Sequence, residues 1–74
     1  MKVVSELFII PRGNQSETLA ALKKNGVEQI RPLADKIVAA FELKSIPDVY
    51  KELEHVKGIS EVKDASIFSI QYYP

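Results

Sequence analysis

Twice in 74 residues a helical pattern is set between two strand patterns, and the two triplets follow one another directly. That order restricts the fold more than any other feature. Lys2–Ile10 (KVVSELFII) is dense in β-branched and aromatic residues and stops at Pro11, as a strand does. Pro11-Arg12-Gly13-Asn14-Gln15 is loop chemistry. Ser16 is suited to cap a helix and Glu17 to sit at its positive end. Leu19 and Leu22 are one turn apart, Lys23 and Lys24 fall in the last turn, and Asn25-Gly26 is a left-handed stop. The first helix is therefore expected over Glu17–Lys24.

Val27–Leu33 reads as a second strand. Pro32 cannot donate a ladder hydrogen bond, so this strand belongs at a sheet edge. Ala34-Asp35 turns the chain into Lys36–Leu43 (KIVAAFEL), whose continuous apolar run suits a central strand. Ser45 is an N-cap, Pro47 is tolerated in the first turn, and Asp48 can complete a capping-box-like pair. Ile46, Val49, Tyr50, Leu53 and Val56 then recur at helical spacing until Gly58. Ile59–Tyr73 is a final extended segment.

The order β-α-β-β-α-β has one short hairpin between its second and third strands. With right-handed crossovers it gives an α+β, ferredoxin-like fold: a four-stranded antiparallel sheet, order 4-1-3-2, with two helices on one face. The Pro32 strand takes one edge and the terminal strand the other. The whole of 1–74 is expected to be one domain. A chain of this length buries a thin core, and oligomerisation is a common remedy.

Ten basic residues balance ten acidic ones and there is no Cys. Neutrality argues against a large nucleic-acid footprint, which needs a basic excess to displace counterions. The apolar runs LFII and IVAAF fall far short of the ~20 residues that cross a bilayer. Glu6 interrupts the apolar start of the chain, which reads as a strand rather than a signal peptide, and the chain is read as cytoplasmic with no membrane partner.

Two helices cover only one face of such a sheet. Alternation assigns Val3, Ser5, Leu7 and Ile9 to one face of the first strand and Val4, Glu6, Phe8 and Ile10 to the other. In the third strand Ile37, Ala39, Phe41 and Leu43 oppose Lys36, Val38, Ala40 and Glu42. The charges mark the second set as the open face. It still carries Val4, Phe8, Ile10, Val38 and Ala40, and a bulge near Asp64 would add Phe68, Ile70 and Tyr72. These eight are the candidate partner-binding residues, since an open face this apolar marks an interaction surface. Ile59–Tyr73 also exceeds the ~5–6 residues of a typical strand. The excess is expected to bulge, flap, or pair with another chain, and SIFSIQYY at an exposed edge is a template for strand addition.

No catalytic, metal or cofactor site is expected. The single His55 falls on the polar side of the second helix, and one His without Cys makes no transition-metal site. The carboxylates form no pair placed for acid–base work. Arg12 and Gly13 read as an ordinary β-α turn rather than an anion cradle. Phe8 is placed as in RNA-binding sheets, but KIVAAFEL lacks their aromatic strand motif, so nucleic acid is not an expected partner.

VVSELFII, GVEQI, DKIVAAFEL, VKGI and FSIQYY together resemble the NapD family, small cytoplasmic chaperones for periplasmic nitrate reductase. Tyr73 stands where that family closes on His, and the stretch from Gly58 to Ser69 is longer than the family's. The resemblance implies binding of a redox enzyme's twin-arginine signal peptide on the open sheet face. PDVYKELEHVKGISEVKDA also resembles the second half of ACT-type regulatory domains, and the strand layout is similar to the ligand-binding domains of Lrp/AsnC-type regulators. Both imply oligomers that bind a small effector, such as an amino acid, between subunits. The expected function is a non-enzymatic binding module, an accessory chaperone for a peptide or protein partner. The alternatives are an oligomeric regulatory domain and a self-assembling structural subunit, with homo-oligomers formed through the sheet face or terminal edge.

Overall fold

The computed structural model describes residues 2–74. The elements run β1 (Lys2–Pro11), α1 (Gln15–Lys24), β2 (Gln29–Leu33), β3 (Lys36–Leu43), α2 (Ile46–Lys57) and β4 (Val62–Tyr73). The four strands form one sheet in the order β2-β3-β1-β4, which is the expected 4-1-3-2 read from the other edge, and every paired neighbour is antiparallel. Each helix thus joins two parallel strands that have a third strand between them.

Alternation along β1 holds throughout. Val3, Ser5, Leu7 and Ile9 are buried, while Val4, Glu6, Phe8 and Ile10 are half-covered. Leu7, Ile9, Ile37 and Ala39 from the sheet pack with Leu22 of α1, Val56 of α2, and Val27, Ile59, Val62 and Ala65 in one core cluster. Both helices therefore lie on the same face. Ser5 is the one polar side chain in this row of β1, and its hydroxyl donates to the Ser69 carbonyl on β4 (2.9 Å).

Helix ends depart from expectation in one place. Asn14, not Ser16, caps α1: its Oδ1 accepts from the Ser16 N–H (2.7 Å) and the Glu17 N–H (3.4 Å), so the helix starts at Gln15. An Asn side chain reaches these orphan amide donors as well as Ser does. The stop is as expected, with Gly26 at φ 85°. Ser45 caps α2, its Oγ accepting from the Asp48 N–H (3.4 Å). Strand β2 begins at Gln29 because Val27 is used otherwise. It is buried in the core and donates its N–H to the Leu22 carbonyl (2.9 Å), pinning the end of α1.

The length of β4 is absorbed within the chain. Its twelve residues pair with β1 from Pro11↔Val62 to Lys2↔Tyr73. Two register shifts accommodate the excess, one at Lys63 and one at Phe68, each the extra residue of a bulge. Of the three outcomes expected for the surplus length, bulging is the one seen within the chain. The outer edge of β4 has no partner strand within the chain.

Candidate partner-binding face

The sheet face away from the helices is built from alternate residues of all four strands. In β1 these are Val4, Glu6, Phe8 and Ile10, opposite Glu42, Ala40 and Val38 of β3, with Gln29 and Arg31 of β2 beyond. Phe8 stacks on Phe68, ring centroids 6.0 Å apart and planes 25° from parallel. Phe68 reaches this face because it is the bulged residue. It remains 53% exposed, so the stack leaves a broad aromatic surface open.

Glu6 lies in the middle of the face, flanked in sequence by the buried Ser5 and Leu7. Its carboxylate accepts from Arg31 Nη2 of β2 (3.4 Å) and from Ser69 Oγ of β4 (3.1 Å), so one side chain links three strands. Ala40 sits opposite Glu6 on one side and Gln29 on the other. Its small side chain leaves two shallow depressions. One is lined by Glu6, Glu28, Gln29, Arg31 and Val38, the other by Val4, Gln29 and Glu42. Three carboxylates and a single guanidinium line them, with the aromatic stack alongside. Lys2 touches Glu42 only at 3.9 Å and sits over the Tyr73 ring (5.8 Å from its centroid).

Of the eight residues expected on this face, Val4, Phe8, Ile10, Ala40 and Phe68 are there. Val38 is on it at the floor of the first depression, but at 1% exposure it offers almost no contact surface. Ile70 and Tyr72 are not on it. The bulge at Phe68 inverts the alternation beyond it, so Ile70 pairs with Ser5 and Tyr72 with Val3, both residues of the helix-bearing face. Strict period-two reading could not find that inversion. Glu28 and Gln29 were missed because they precede or open a short strand with no alternation of its own.

Arg12 is a clamp. Its Nε donates to the Ser60 carbonyl (3.0 Å), its Nη2 to the Val62 carbonyl (3.3 Å), and its backbone N–H to the Glu61 carbonyl (2.9 Å). Thr18 Oγ1 also donates to Glu61 O (3.1 Å). The guanidinium is thus spent on the turn before β4. His55 sits in the last turn of α2 with its Nε2 3.2 Å from the Asn25 carbonyl.

Among the described residues no group of His and acidic side chains could hold a metal ion, and no helix is long and apolar enough to cross a membrane. Compared with protein-family models, curated proteins and solved structures, the chain matches none.

Proposed function

We propose that the chain is a ferredoxin-like, non-enzymatic binding module whose open face receives a peptide that is apolar over one stretch and cationic at its end. The observation that carries this reading is the pairing of the exposed Phe8–Phe68 stack with depressions rimmed by Glu6, Glu28 and Glu42. An apolar segment covers the aromatic surface, and guanidinium groups of the peptide take the carboxylates in charge-assisted hydrogen bonds. Twin-arginine signal peptides have this composition, basic residues followed by an apolar run, and the resemblance of VVSELFII and DKIVAAFEL to the NapD family supports the same occupant. Such a module would act as an accessory chaperone, holding the signal peptide of a redox enzyme until its cofactor is loaded.

Calorimetry with a synthetic twin-arginine signal peptide tests this. The wild-type chain should bind. Phe68→Ala should weaken binding about tenfold, equivalent to ~1.4 kcal/mol. Glu28→Gln with Glu42→Gln should weaken it and flatten its salt dependence. A peptide with both arginines replaced by glutamine should bind no more weakly to this double variant than to wild type. Absence of binding to wild type, together with a free amino acid that raises the melting temperature, would replace this reading with the effector-binding regulatory domain.

A further inference from the structure

We propose that a second copy of this chain pairs antiparallel along the outer edge of β4, over Ser69–Tyr73, about a two-fold axis at Gln71. The two edges of the sheet differ in kind. Strand β2 is five residues long and carries Arg31 and Pro32, a charge and a missing donor of the sort that protects an edge. Strand β4 runs twelve residues, and from Ser66 to Tyr73 it has neither a charge nor a proline. A foreign strand would satisfy the main-chain groups of β4. The side chains favour a copy of the chain itself.

Beyond the bulge, Ile70 (37% exposed) and Tyr72 (52% exposed) stand on the helix-bearing face and are left uncovered. An antiparallel two-fold pairing must set residues of like face opposite one another. Centred at Gln71 it puts Ile70 against Tyr72 of the second copy, and Tyr72 against its Ile70, so each exposed apolar residue meets another. On the open face it puts Ser69 against Tyr73. No charged residue falls opposite any other, because Lys63 and Asp64 lie outside the paired stretch. The bulge at Phe68 ends the pairing, since a bulge twists the edge away from a partner.

The apolar surface continues onto α2, which packs mainly against β4. Its first turn starts three residues after Leu43, and Leu43 and Tyr72 both pair with Val3. Exposed Ile46 and Tyr50 therefore lie at the same end of the sheet as Ile70 and Tyr72. A lone strand leaves them in water, whereas a second copy brings its own α2 beside them. The open faces of the two copies then join into one eight-stranded floor, independent of whether the peptide proposed above is its ligand.

Size exclusion with light scattering on the full chain should give twice the 8.3 kDa of one copy. Ile70→Lys with Tyr72→Lys should halve that mass while the far-ultraviolet circular dichroism stays unchanged. The chain has no cysteine, so Gln71→Cys adds a single thiol. Opposed residues in an antiparallel pair have Cα atoms about 4.5–5.5 Å apart, within disulfide range. Mild oxidation should link this variant into a covalent dimer and leave Lys24→Cys unlinked. A wild-type monomer at every concentration, or a dimer that survives the double lysine variant, overturns the proposal. So does a wild-type dimer whose Gln71→Cys form links no faster than Lys24→Cys, and that comparison holds even if the lysine variant fails to fold.

Discussion

Ala34 is the non-glycine residue with positive φ among those described, at 55°, in the two-residue turn between β2 and β3. The turn is held from outside by Gln15, whose Nε2 donates to the carbonyls of Ala34 (2.9 Å) and Lys36 (2.8 Å). Left-handed backbone costs an L-residue roughly 1–2 kcal/mol, and glycine nothing comparable. Ala34→Gly should therefore raise stability in urea by about 1 kcal/mol, although glycine also loosens the unfolded chain. A lower midpoint would mean that Gln15 has already relieved the strain. The next residue, Asp35, accepts from Lys36 Nζ (3.0 Å), and that hydrogen bond, with the Lys36 charge, holds its carboxyl below the ordinary carboxylate value. A folded pKa depressed in this way contributes stability above about pH 4 that is lost as pH falls through the folded value. The side chain is exposed, so the contribution is small. Asp35→Asn should leave a slight melting difference at neutral pH that closes in acid. A difference that widens in acid would contradict the sign.

At the scale of elements, legibility followed the strength of the local pattern. Strand β3 was read to the residue because a turn and a cap bound a continuous apolar run, and α2 was bounded by Ser45 and Gly58. Of the two bulges of β4, the one at Lys63 was expected beside Asp64, whereas the one at Phe68 was not legible, since SIFSIQYY alternates acceptably in either register. What selects the register is tertiary: Ile67 must meet Leu7 in the core while Ser69 meets Glu6 on the open face, leaving Phe68 between them. Ser5 supports that arrangement from below through the Ser69 carbonyl. Deleting Phe68 should consequently leave both flanking registers intact and remove only the stack on Phe8, a loss of about 1 kcal/mol. Deleting Ile70 instead should turn Gln71, Tyr72 and Tyr73 to opposite faces and abolish the β4–β4 dimer. Circular dichroism and light scattering on the two deletions separate these outcomes. If the Phe68 deletion unfolds and the Ile70 deletion does not, the bulge has been assigned to the wrong residue.

For the whole molecule, a chain of this size has a global stability on the order of 4–11 kcal/mol. Leu7 is fully buried at the centre of the core, between Ala39 of β3 and Ile67 of β4. Leu7→Ala should cost about 2–5 kcal/mol, a large share of that total. If only folded copies dimerise, mass action returns part of the loss, and the amount grows with protein concentration. The melting temperature of Leu7→Ala should then climb with concentration, while the same variant carrying Ile70→Lys and Tyr72→Lys should melt lower and at one temperature throughout. The comparison places core and edge on one free-energy scale, and the dependence on concentration, which a packing loss at Leu7 alone does not produce, is what separates the two effects. Concentration-independent melting in both variants would mean that the thin core is sufficient alone and that the β4 edge is stable in water without a partner.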